Sequence, residues 1–208
     1  MASPGFPLPL RNALAELAIA AFDDADARAA LDWLASPPTE PRPGAAERLA
    51  AVHLVDPGTR ELLAVHGLHG DAVAAHAARA GRAAALGARP TSADPIGRAL
   101  QQAAALWSER LFFEVHEVLE AAWKTETGDV RQALQGVIQI AVAYHHLAHG
   151  NLRGARTLMH EGRARLATVP PATLPGLDAP ALLAATAAAD DALAAGDVPA
   201  DICTLALA

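Results

Sequence analysis

The chain holds a single cysteine, Cys203, and a single lysine, Lys124. One cysteine excludes an internal disulfide, and a reducing compartment fits best. No run of basic residues occurs and the net charge is −7, so the basic footprint of a nucleic-acid binder is missing. Aromatic residues make up only 4% of the chain, which leaves Ala, Leu and Val as the apolar mass and argues against a β-rich core. Long hydrophobic runs are absent too. The most apolar stretch, 133–147, is interrupted by Gln135, Gln139, His145 and His146 and is too short and polar to span a bilayer. Residues 1–10 lack a basic region followed by an apolar core, the mark of a signal peptide. The expectation is a cytoplasmic protein without membrane or nucleic-acid partners.

What is present favours helices. Of 208 residues, 52% are hydrophobic, and Ala is the best helix former. The preference for arginine over lysine, with Pro and Gly at 15 each, is the coding bias of a GC-rich, bacterial-like genome. Asn12 to Phe22, Asp26 to Leu34 and Asp71 to Leu86 read as helices. Ser36 to Gly44, with four prolines, reads as a linker or rigid loop. Residues 52–67 stay open between a small β-hairpin around Asp56-Pro57-Gly58-Thr59 and a helix. Gly87 to Ser92 is a second break.

Beyond it the boundary signals sharpen. Asp94 before Pro95 is a cap with proline at the first helical position. A second helix covers about Leu111 to Thr125, and Asp129 with Gln132 spells a capping box for a third, running to His149. Gly150 suits a left-handed helix end and Asn151 a cap for a fourth helix to Leu166. Val169 to Pro180 is a proline-rich spacer before a last helix, Ala181 to Ala195. The fold class is therefore mainly all-α, an antiparallel helical bundle. Its expected divisions are an Ala-rich extension (1–90), a core bundle (91–168), and a spacer with a C-terminal helix (169–208). A fragment beginning near Thr91 is expected to fold alone.

The candidate site is a polar stripe inside apolar helices. On the second helix, His116 falls within the stripe of Phe112, Val115, Leu119 and Trp123, and Glu120 lies at its edge. Glu117 is further round, and Glu114 points the opposite way, toward solvent. On the third helix, Gln135, Gln139 and His146 fall within roughly 40° of one another. An antiparallel hairpin sets Glu120 against Gln135 and His116 against Gln139, with His146 toward the far end. Buried groups of this kind need partners, and Gln can donate to Glu120 and accept from His116. A buried, paired Glu120 would cost about 3–5 kcal/mol on truncation to Ala.

The text Phe113-Glu114-Val115-His116-Glu117-Val118-Leu119-Glu120-Ala121-Ala122-Trp123 carries a family resemblance. With it go Leu134-Gln135-Gly136-Val137-Ile138-Gln139, His146-Leu147 and Gly150-Asn151-Leu152-Arg153-Gly154-Ala155. The pattern resembles the small helical proteins classed as domain of unknown function family 309. Two positions depart from it: the resemblance implies alanine where Val115 stands, and a glycine turn where this chain has Ser108-Glu109-Arg110. It implies an all-helical bundle and supplies no activity.

Two functional classes follow. One is a non-enzymatic module binding a small ligand or protein partner through His116, Glu117, Glu120, Trp123, Gln135, Gln139 and His146, with homo-oligomerisation compatible. The other is a small hydrolytic enzyme, metal-assisted or acid/base, using His116 with Glu117 or Glu120. A metal ion at His116, Glu120 and His146 is the minority version, because the Glu-x-x-His pairs of di-iron bundles and the His-Glu-x-x-His motif are absent. Arg153, Arg156, His160 and Arg163 share a face that is either solvated and salt-bridged or open to a phosphate-bearing partner.

Overall fold

A computed structural model describes residues 5–36, 40–59, 61–87 and 92–207. The described residues hold nine α-helices and no β-strand: α1 (Leu8–Ala20), α2 (Ala25–Ala35), α3 (Pro43–Ala51), α4 (Gly70–Gly87), α5 (Pro95–Ser108), α6 (Phe112–Trp123), α7 (Gly128–Ala148), α8 (Leu152–Ala167) and α9 (Ala179–Ala195). No helix among them is long and apolar enough to cross a membrane. They fall into two compact units, Gly5–Arg89 and, among the described residues, 92–207. The Gly87 to Ser92 break lies largely outside the described residues.

In the first unit α2 packs on α3 and α4, with α1 against α2 and α4. Leu10, Leu14, Leu17, Leu31, Leu49 and Leu54 fill its core. Asp24 starts α2, its Oδ1 accepting from the Asp26 amide at 2.8 Å, and Arg28 donates to the Ala21 carbonyl at the end of α1. The proline-rich stretch is more than a linker, because Pro43 opens α3 as its first residue, the position where a missing amide hydrogen costs nothing. The hairpin does not form. Among the described residues of 52–67 a single isolated antiparallel bridge, Val55 to Leu62, is made. The turn itself is as expected, with Asp56 Oδ1 accepting from Gly58 and Thr59 at 2.8 Å each. Its flanks pair only briefly, Asp56 N–H on the Glu61 carbonyl and Leu63 N–H on that of Leu54, before the Leu54 amide closes the end of α3 on Leu49 and the chain enters a 3₁₀ helix at Ala64.

The second unit is a run of antiparallel neighbours. α5 packs on α6, α6 on α7, α7 on α8 and α8 on α9. Asp94 caps α5 through the Gly97 amide at 2.7 Å, and Asn151 caps α8 through the Gly154 amide at 2.9 Å. Gly150 takes the left-handed conformation expected of it, with φ of 74°. The Asp129–Gln132 capping box is absent: the N-cap of α7 is Thr127, without a side-chain bond, and Gln132 Oε1 accepts from Arg165 instead. The C-terminal residues belong to this unit. Arg163 binds Asp190 at 3.1 Å and Thr186 at 2.5 Å on α9, and Trp107 Nε1 donates to the Cys203 carbonyl at 2.7 Å.

The turn between α5 and α6 is built without the glycine. Arg110 takes a φ of 57°, and the Leu111 amide bonds back to the Leu106 carbonyl, the closure that usually recruits glycine. A left-handed L-residue costs roughly 1–2 kcal/mol, part of which glycine returns through its looser unfolded chain. Arg110 is exposed, so Arg110→Gly should raise stability by about 0.5–1 kcal/mol. A denaturant midpoint that falls on this substitution would show that the turn does not strain the chain.

Candidate functional site

Residues Phe113, His116, Glu117, Glu120 and Lys124 recur at three- and four-residue steps, so helix geometry stacks them on one side of α6. The opposite side carries Phe112, Val115, Val118 and Leu119 into the core. The stacking brings one ligand atom from each of His116, Glu117 and Glu120 within 4.8 Å of one another. His116 Nδ1 lies 3.2 Å from Glu117 Oε1, with side-chain exposures of 27% and 37%. Glu120 Oε2 lies 2.9 Å from Lys124 Nζ, with exposures of 32% and 61%. Lys124's hydrogen bond holds the Glu120 carboxyl below its ordinary range, helped by the charges of Lys124 and His116 against some desolvation.

The cluster is thus half open to water rather than enclosed, and the facing stripes do not meet. Gln139 turns to α8, donating to Glu161 Oε2 and accepting from Arg165 Nε, each at 3.1 Å. No described hydrogen bond joins Gln135, which is half-buried, to Glu120. His146 is not among the atoms converging at His116; its Nδ1 pairs with Asn151 Nδ2 at 3.1 Å. Rings link the two histidines only indirectly, from His116 to Phe113, Phe113 to His145 and His145 to His146. Burial first, and then the charge of His149, pull the His146 imidazole below its ordinary range. Trp123 is half-buried with one face covered, the Arg131 guanidinium lying 3.5 Å from its ring centroid.

Two readings of single residues need correction. Glu114 is not solvated: it is 2% exposed, because α6 is covered by α5 as well as α7, and a wheel drawn for one helix knows only one buried side. Glu120 is not a buried member of a network. An exposed i, i+4 pair with Lys is worth about 0.3–0.5 kcal/mol, so truncating Glu120 forfeits far less than a buried pair would. The face of Arg153, Arg156, His160 and Arg163 divides: His160 and Arg163 both lie against Asp190, at 3.7 and 3.1 Å, while Arg153 and Arg156 are exposed. Asp190 is 27 residues from Arg163 along the chain, and nothing in the local pattern announced it.

The residues that carry the cluster sit in the part of the chain that matches a family model. Residues 100–158 match the family model described as Domain of unknown function (DUF309). The matched segment spans most of α5, all of α6 and α7, and the first half of α8. His116, Glu117 and Glu120 lie inside it, as does the Gly150-Asn151 helix junction. No curated protein and no solved structure matches the chain.

Proposed function

We propose that the DUF309 segment is a non-enzymatic binding module whose ligand is a cation, held at the half-exposed face of α6 by His116, Glu117 and Glu120. The convergence of an imidazole and two carboxylates within 4.8 Å carries this reading. Two carboxylates supply a charge of −2 and one imidazole a neutral donor, a set suited to positive ligands. The neighbouring polar groups support it by being engaged elsewhere: Gln139 on α8, His146 on Asn151, and the face of Trp123 under Arg131. A ligand bound only by the folded chain stabilises it by about 2.7 kcal/mol at a hundredfold excess over Kd. Thermal melts with a panel of divalent metal chlorides, spermidine and guanidinium compounds should therefore show a raised midpoint with at least one of them. The rise should vanish in Glu117→Gln/Glu120→Gln. No rise with any cation would sink the proposal. A second reading, acid/base hydrolysis, draws on the His116 Nδ1–Glu117 Oε1 pair, which would orient the imidazole and leave Nε2 as the base.

A further inference from the structure

We infer that the cation is a first-row divalent transition metal ion and that Lys124 is its built-in competitor. The inference rests on the binding reading above and specifies its ligand. One imidazole nitrogen with two carboxylates is an intermediate donor set: softer than the all-oxygen shells of calcium and magnesium, harder than the thiolate sites. Two donors about 2.1 Å from one ion lie about 3.0–3.4 Å apart, depending on whether the angle between them is square or tetrahedral. His116 Nδ1 and Glu117 Oε1 already stand 3.2 Å apart. The third donor is the one that must move, because Glu120 is held by Lys124 at 2.9 Å.

That hold is a weak one. Lys124 is exposed over 61% of its side chain, and an ammonium is a point charge on a flexible stem with no bidentate grip. A divalent ion competing for the same carboxylate brings twice the charge, and the released ammonium returns to water. The exposures of 27%, 37% and 32% for the three ligands leave the remaining coordination positions to water. The chain places its single lysine, among 16 basic residues, on this carboxylate. The site can therefore be read as neutralised by an internal cation until an external one replaces it.

Calorimetric titration of the metal-stripped full chain with zinc, nickel and manganese chlorides tests this. Near-stoichiometric binding is expected, weaker for manganese than for zinc or nickel. His116→Ala should weaken it at least tenfold, and Lys124→Met should tighten it several-fold. Calcium and magnesium should bind far more weakly. All three ligands are half-exposed, so circular dichroism should find each variant folded, and a loss of binding is then not a loss of fold. Metal binding that survives His116→Ala would place the ion elsewhere, for instance at the His145–His149 pair, whose rings are 4.3 Å apart, and would overturn the inference. An unchanged affinity in Lys124→Met would overturn the role of the lysine. Stabilisation by spermidine or guanidinium without any by metals would overturn the metal and leave the cation-binding reading standing.

Discussion

Gly162→Ala lowers the stability of the second unit by about 2–3 kcal/mol, although alanine is the better helix former by about 1 kcal/mol. A Cβ at Gly162 would fall 2.7 Å from the Gly136 carbonyl oxygen, 2.9 Å from Gln139 Cβ and 3.0 Å from Ile140 Cγ1. None of these is the free end of a flexible side chain. At Gly136 a Cβ would in turn meet the Gly162 carbonyl at 2.9 Å and the Leu166 amide at 3.0 Å. Helices α7 and α8 can relieve the clash only by moving apart, which loosens the packing of Met159 and Leu166, both buried. Gly81→Ala is the control of opposite sign. Its Cβ would find only Asp32 Oδ1, at 3.8 Å, so in α4 the helix preference should win and stability should rise. Urea melts of both variants decide it: a Gly162→Ala midpoint at or above the wild type would disprove the close approach.

Trp107→Ala should cost about 3–5 kcal/mol, the usual range for deleting a large buried aromatic. Trp107 is 1% exposed and meets Phe112 and Tyr144 edge to face, with centroids 5.4 and 5.6 Å apart. Phe112 and Tyr144 stack at 5.3 Å. The loss would also free the Cys203 carbonyl, and with it the segment that carries the Tyr144–Cys203 contact at 3.4 Å. The same cluster sets an alkaline limit. Burial, and then the contact with Cys203, push the Tyr144 hydroxyl well above its ordinary 10.0. Burial likewise raises the Cys203 thiol above 9.0. Both groups keep in the folded chain a proton that the unfolded chain gives up, so stability falls as pH rises through 9 and then 10. A stability profile flat from pH 8 to pH 11 would contradict this.

Some local decisions were announced by the sequence, although the Asp129–Gln132 capping box was not among them. Asp94-Pro95 and Gly150-Asn151 are helix ends written in a few adjacent residues, and both formed as read. The 309 family resemblance, carried by a text of short motifs, is matched over residues 100–158. Decisions made between distant residues were hidden. The wheel turns the Gln stripe of α7 toward α6, its neighbour in sequence, yet Gln139 bonds to α8 and lies one turn from Gly136, against which α8 is closely packed. The pair of glycines, one on each helix, was the available signal that this side of α7 belongs to α8. His116 and Glu120 were found by spacing alone, but how far they are buried depends on what covers α6. The wheel placed the residues on one side of α6 and missed how open that side is. Arg110 shows the reverse case, in which a glycine position is legible from the family and the chain forms the turn without it.

The hydrogen bond from Trp107 to Cys203 joins residues 96 apart, and that separation imposes an order of events during synthesis. Translation proceeds at about 5–20 residues per second, so the Cys203 carbonyl emerges roughly 5–20 s after the indole it must satisfy. The unit of residues Gly5–Arg89 has all its own partners by then and can fold as it leaves the ribosome. The helices that follow wait with an aromatic cluster still lacking its last acceptor. For those seconds the Trp107 indole has yet to meet the carbonyl that accepts from it.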